Sequence, residues 1–464
     1  MASNKPHILA VPLPAQGHVK PLMTLCRQIA KHGIKVTFVN AQTIHEKIAT
    51  ISPEEDHNMV LTSIPDGLEP DHDPNDPFLL FETLSRTMQK SLPDLIEKIN
   101  CSNPNEKISC VIADIGFRWV LDIAEMMGAE LVGFSTPSVA TFALLLHIPK
   151  LIQQGNLDTD GTITHPFGSL KKVDVIRLSD EISDWKKDEL PWSTPNDLKT
   201  QKIFFECLIS NQVAYKAKWV LWNSCYDLEP AACDLHPNFL PVGPLHLHDT
   251  NMEKSGSDSS NFYAADVSCL SWLDTKPARS VVYVSFGSLA TYSQQQLDEL
   301  ALGLELSGRA FLWVVRLDLA NGSRAVYPDG FSERVSEFGK IVEWAPQNSV
   351  LSHPAVGCFL SHCGWNSTLE GVSKGVPYLC WPYFADQHHN EKYICDKWEI
   401  GLRINCDKKG IRSRYEIKMK IDMLFSNNKY TENVFKLKEM CARSVSKGGS
   451  SYKNLQIFIN HLWK

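Results

Sequence analysis

The sequence lacks a long apolar run. Its first one, Ile8–Val11, is cut off by Pro12 and Pro14, and no later stretch is long enough, so neither a secretion signal nor a membrane span is expected. It also lacks a surplus of positive charge: 46 Lys and Arg stand against 53 Asp and Glu, a formal net charge of -7, which leaves no footprint for nucleic acid or an anionic membrane surface. The 13 cysteines are odd in number and show no paired C-x-x-C spacing, which argues against a disulfide framework and for free thiols in the cytoplasm. There is no G-x-x-x-x-G-K-[ST] loop, no G-x-G-x-x-G fingerprint and no G-x-S-x-G elbow, so nucleotide hydrolysis, nicotinamide chemistry and serine hydrolysis lose their usual support.

What is present is a chain of 464 residues, 43% hydrophobic and 21% charged, too long for one core. Short β-branched runs alternate with amphipathic helical stretches, the pattern of a parallel sheet covered by helices. In the first half the expected strands are Ile8–Val11, Lys35–Val39, Ser109–Ala113, Leu131–Phe134 and Trp219–Trp222, with helices over Val19–Lys31, Phe81–Ile99 and Lys202–Lys216. The polar, serine-rich residues 245–265 read as a linker between a first domain, 1–244, and a second, 266–445. The second half restarts the alternation with strands Val281–Ser285, Ala310–Val315, Val356–Ser361 and Val376–Cys380, and helices Ser293–Ser307, Asn366–Lys374 and Ala385–Lys397. A last amphipathic helix, Tyr452–Trp463 within 446–464, needs a surface to cover.

The segment from Trp344 to Gln387 concentrates groups able to hold a sugar nucleotide. Trp344, next to Ala345, offers a flat face to a base, and Gln347, Asn366, Ser367, Glu370, Asp386 and Gln387 offer directional hydrogen bonds to sugar and ribose hydroxyls. Strand Val356–Ser361 ends at His362, Gly364 permits close backbone approach, and a helix opens at Asn366, so its unpaired N–H groups suit a diphosphate. Phe286-Gly287-Ser288, after an earlier strand, offers a hydroxyl and amides to the same phosphates. Singly, Trp344 and Trp365 read as core aromatics, Glu370 as an exposed carboxylate and Asn366 or Ser367 as a helix cap; together they read as a site. Cys358, His362 and Cys363 lack zinc-site spacing, so no metal is expected. The sequon Asn366-Ser367-Thr368 inside this site is a further reason to expect the cytoplasm.

The segment, with W-A-P-Q at Trp344, H-C-G-W-N-S at His362, E-G at Glu370 and D-Q at Asp386, resembles the signature box of plant UDP-dependent glycosyltransferases of specialised metabolism. P-A-Q-G-H at Pro14–His18, A-D at Ala113-Asp114 and V-S-F-G-S at Val284–Ser288 extend the resemblance over nearly the whole chain. It implies an α/β GT-B fold, with two Rossmann-like domains facing across a cleft, the first holding the acceptor, the second the UDP-sugar, and the last helix packing back on the first. It implies His18 as general base oriented by Asp114, a division of labour that chemistry supports, since an attacking hydroxyl must lose its proton near neutral pH.

The resemblance further implies Trp344 stacked on uracil, Gln347 and Glu370 on ribose, and Ser288, His362, Asn366 and Ser367 on the diphosphate. Trp365, Asp386, Gln387 and Thr136 would contact the transferred sugar, and Gln387 favours glucose. The expected reaction is an inverting, metal-independent transfer that gives a β-glucoside of a small phenolic, flavonoid or terpenoid. No cofactor is required beyond UDP-glucose as co-substrate, and a monomer is expected. The acceptor side would draw on 66–81, 142–153 and 180–196, with Phe78, Phe81, Phe142, Leu144, Trp185 and Trp192 as apolar surface. A catalytically inactive UDP-sugar-binding protein, another donor sugar, or attack by carbon or nitrogen are the alternatives. A glycosidase would need two flanking carboxylates, which His18 and Asp114 do not supply.

Overall fold

The computed structural model describes residues 5–49, 58–67, 77–164, 175–193, 201–202, 205, 208–209, 216–236, 238–248 and 265–464. The expected linker lies, from 249 to 264, outside the described residues, as do most of the expected helix Lys202–Lys216 and the side chains of Phe78 and Phe81.

Two parallel sheets organise the chain. The first runs β3-β2-β1-β4-β5-β8-β9, with β1 His7–Val11, β2 Lys35–Ala41, β3 Met59–Ile64, β4 Cys110–Asp114, β5 Glu130–Ser135, β8 Trp219–Trp222 and β9 Phe239–Pro241. An antiparallel ribbon, β6 Val175–Ile176 with β7 Trp185–Lys186, stands apart from it. The second sheet runs β12-β11-β10-β13-β14-β15, with β10 Val281–Ser285, β11 Phe311–Val314, β12 Gly339–Val342, β13 Val356–Ser361, β14 Tyr378–Cys380 and β15 Gly401–Arg403. The central strands β1, β4, β10 and β13 are buried throughout, because helices cover both faces of each sheet. Both sheets start in the middle and reverse direction beside their first strand, which opens a crevice at the carboxyl ends of β1 and β4 and again at those of β10 and β13.

The last helix, Ser450–Leu462, crosses back to the first sheet. Leu455, Phe458 and Ile459 join the core around β1 and the helix Gln16–Ala30, a burial worth about 1.5–3 kcal/mol for each side chain. Its polar side chains fix the register: Ser451 Oγ donates to Gly243 O at 2.6 Å and Asn454 Nδ2 to Pro241 O at 2.9 Å. Phe142, Leu144, Trp185 and Trp192 are all at most 2% exposed and belong to one core behind β5 and β8, so they do not present open acceptor walls.

Candidate active site between the two sheets

The first group of site residues follows directly from strand order. β1 and β4 are parallel neighbours, with Val11 opposite Ala113, so the residues that follow them emerge side by side although 96 positions separate His18 from Asp114. His18 lies in the first turn of the helix Gln16–Ala30, and Asp114 is the last residue of β4. Their contact, His18 Nδ1 to Asp114 Oδ2, is 2.6 Å long, and the Asp114 side chain is only 3% exposed. Gly116 N–H donates to the other oxygen, Oδ1, at 3.0 Å and fixes the carboxylate plane. Thr136, just past the neighbouring β5, brings its hydroxyl to 3.2 Å from His18 Nδ1. With Nδ1 turned to these partners, Nε2 is left for an incoming hydroxyl.

Burial pulls the His18 pKa down, but the charge of Asp114, the hydrogen bond to it and the charge of Asp386 outweigh burial and hold it above the ordinary 6.5. The imidazole is thus a stronger base than a free one, and its protonated form is stabilised where it stands.

The second group surrounds the start of the helix Trp365–Lys374, which begins one residue before the expected Asn366. Its N-cap is Gly364 and no side chain caps it, so the first N–H groups remain for an anion. His362 stands over that start. A Cβ at Gly287 or Gly364 would lie 2.7 or 2.5 Å from His362 Nε2, so the imidazole fits only because both neighbours are glycines. Burial, with the Arg316 charge nearby, lowers the His362 pKa to about 4, so the ring is neutral at physiological pH and donates from one nitrogen only.

Trp344, half-buried, follows β12, and Ala345 beside it is a core residue, 5% exposed, that offers only backbone. Gln347 opens a short helix; its Nε2 donates to Glu370 Oε2 at 2.6 Å and Ser367 Oγ at 3.1 Å, and its Oε1 accepts from Tyr283 OH at 3.1 Å. These three expected ligands therefore form one preassembled polar cluster, to which Lys20 of the first half adds a 3.8 Å contact with Glu370. Ser288, half-buried, rides on the loop after β10.

Other expected ligands also make hydrogen bonds within the protein. Trp365 is 3% exposed, and its indole N–H donates to Asn223 O at 2.9 Å, so its ring fills the seam between the halves. Asn366 donates to Gly17 O at 2.7 Å and accepts from Asn223 Nδ2 at 2.9 Å. Gln387 Oε1 accepts from the amides of Tyr383 and Phe384 at 2.8 and 3.1 Å, which orients its remaining NH2 group. Asp386 Oδ2 accepts from Asn390 Nδ2 at 2.9 Å. Burial pushes its carboxyl up to about 6, against the Asn390 bond, the Ser138 amide and the His18 charge.

With the geometry in place, similarity to known proteins decides the family. The family described as UDP-glucoronosyl and UDP-glucosyl transferase matches residues 199–443, and the glycosyltransferase N-terminal domain matches residues 5–167. UDP-glycosyltransferase 83A1 of Arabidopsis thaliana is 40% identical over 98% of this chain and 97% of its own. The chain belongs to the plant UDP-glycosyltransferase family. Linamarin synthase 1 of Manihot esculenta, 34% identical over 98% of this chain and 97% of its own, is another relative. Among solved structures, Os79 of O. sativa in complex with UDP superimposes with a TM-score of 0.80 at 28% identity, covering 98% of this chain and all of that one. This transferase therefore has the GT-B architecture, two Rossmann-like halves facing a cleft, and is an inverting enzyme that takes a UDP-sugar donor and a small plant metabolite as acceptor. Among the described residues no helix is long and apolar enough to cross a membrane.

Several supports of the transferase's site carry little signal in the sequence. Arg316, 7% exposed, lies past the end of β11 and donates to the carbonyls of Gly287 and Ala290, shaping the loop that carries Ser288. The only hint of it is a lone arginine closing an apolar strand, Phe311–Val315. Glu229, buried, accepts from Val139 N and Ala140 N at 3.1 and 3.0 Å and from Ser224 Oγ at 2.7 Å, and so holds the start of the helix that follows Thr136.

Proposed function

We propose that this transferase moves glucose from UDP-glucose to a hydroxyl of a small phenolic, flavonoid or terpenoid in the cytoplasm, as a monomer. His18 Nε2 takes the hydroxyl proton while the oxygen attacks the anomeric carbon from the face opposite UDP. The C–O bond to UDP breaks, the electron pair leaves with the diphosphate, and Asp114 stabilises the imidazolium. The charge that develops on UDP is met by the uncapped start of the helix Trp365–Lys374 and by His362, with Ser288 and Ser367 beside it. Trp344 takes the uracil, the Gln347–Glu370 pair the ribose, and Gln387 with Asp386 the sugar hydroxyls.

The observation that carries this reading is the His18–Asp114 contact of 2.6 Å, tied to the donor helix by the Asn366 bond to Gly17, next to His18. The relatives named for glucosyl transfer support the donor: 7-deoxyloganetin glucosyltransferase of Catharanthus roseus is 32% identical over 99% of this chain and 97% of its own. The cytoplasm is supported by free thiols at all the described cysteines, most of them buried. The test is UDP release from UDP-glucose, UDP-galactose and UDP-xylose over a panel of plant aglycones, with product NMR. The expected result is a β-glucoside with UDP-glucose preferred; an α-anomer, or preference for another donor, overturns it.

A further inference from the structure

We propose that Asn223 is a positioning residue for the transfer, a clasp that fixes the distance between the base on one half and the sugar on the other. It rests on the reading of His18 as base and of the helix Trp365–Lys374 as donor site. Asn223 follows β8, is 4% exposed, and is hydrogen-bonded to the first two residues of the donor helix. All of its polar atoms on the cleft side are used. Nδ2 donates to Asn366 Oδ1 at 2.9 Å, the backbone oxygen accepts from Trp365 Nε1 at 2.9 Å, and Oδ1 accepts from Leu245 N at 3.0 Å, where the first half leads into the connecting segment. Asn366 in turn donates to Gly17 O at 2.7 Å, next to His18.

One side chain therefore joins the end of the first sheet, the start of the connection and the first turn of the donor helix. The arrangement is read by orientation as well as distance. Asn366 must give its NH2 to the Gly17 carbonyl, so its oxygen must face Asn223, and Asn223 must present an NH2 there while its own oxygen faces the Leu245 amide. There is no room to relax at the connection: a Cβ at Gly243 would lie 2.6 Å from Asn223 Oδ1. Since the base belongs to one half and the anomeric carbon is held by the other, a shift of about 1 Å between halves costs on the order of 100-fold in rate.

Asn223→Asp isolates the clasp, because the carboxylate still accepts from Leu245 N but presents an acceptor to Asn366 Oδ1 where a donor is needed. The expected result in the full chain is a kcat for sugar transfer lowered about 10- to 100-fold, with UDP affinity by calorimetry and acceptor KM within about twofold of wild type. Peptides covering 12–22 and 362–372 are expected to exchange amide hydrogens faster than in wild type, with the remaining peptides unchanged. A kcat within twofold of wild type, or equal losses in UDP affinity and kcat, overturns the proposal. The exchange measurement stands without any acceptor, so unchanged exchange in both peptides overturns it even where the wild type transfers no glucose, an outcome that would instead refute the donor or base assignment.

Discussion

Replacing Asp114 by Asn tests the base assignment where it is most specific. Asp114 Oδ1 accepts from Gly116 N–H at 3.0 Å, so a carboxamide keeps its oxygen there and turns its NH2 toward His18 Nδ1. Nδ1 must then accept, the ring proton moves to Nε2, and the nitrogen facing the acceptor is no longer a base. Loss of a charge-assisted bond at 2.6 Å to a carboxylate 3% exposed removes about 1.5–3 kcal/mol of support for the imidazolium, roughly 10- to 150-fold in rate. The wrong tautomer adds to this, so a fall in kcat of at least about 100-fold is expected. The pH profile supplies an independent sign. His18 must be neutral to act, so the wild-type rate rises with pH through its raised pKa; without the Asp114 charge, burial prevails and the limb moves to lower pH. Steady-state transfer from pH 5 to 9, with UDP affinity measured in parallel, is the assay. A variant that keeps more than a third of the wild-type kcat with an unmoved limb would refute the reasoning.

Trp344→Ala is expected to weaken UDP binding by about 1–3 kcal/mol, roughly 5- to 150-fold, if the indole stacks on the base; calorimetry with UDP reads it, and an unchanged affinity contradicts the stacking role. Gly364→Ala places a methyl 2.5 Å from His362 Nε2, so the imidazole must swing away from the helix start, and UDP affinity is expected to fall at least tenfold with little change in melting temperature. Burial raises the Glu229 carboxyl from 4.5 to about 7, against the bonds from Ala140, Ser224 and Val139, so the folded state keeps that proton longer than the unfolded one. Its contribution is fully present below 4.5 and is lost as pH rises through about 7, so unfolding free energy of wild type relative to Glu229→Gln should drop by about 2 kcal/mol from pH 5 to 8. A difference that is flat or rises with pH in denaturant titrations would contradict it.

The central strands were legible because a strand buried on both faces is a continuous apolar run, as at Ile8–Val11 and Val281–Ser285. The sheet margins were not. β3 carries Val60 at 51% exposure, and β12 and β15 are short strands, mostly half-buried, of mixed composition, Gly339–Val342 and Gly401–Arg403, that become strands only by pairing with β11 and β14. The helix Val139–Gln153 is hard to read from sequence for the opposite reason: it is apolar nearly all round, so it lacks the polar face that gives a 3.6-residue rhythm.

At the site, residue types were readable in the box, but their partners were not. Nothing in the sequence says that the side chains of Asn366 and Trp365 are spent on the seam with Asn223, because such pairing depends on how two separately built halves meet. His18 and Asp114 could be paired only through the family resemblance, since their 96-residue separation is bridged by strand order alone.

On the proposed assignment the base and the donor site belong to opposite halves and can be separated experimentally. His18→Ala, assayed for transfer to an accepted aglycone and for UDP affinity on the same preparation, tests it most directly. Transfer is expected to fall to background with UDP affinity within about twofold of wild type; transfer at the wild-type rate, or loss of UDP binding in a folded protein, would contradict the assignment.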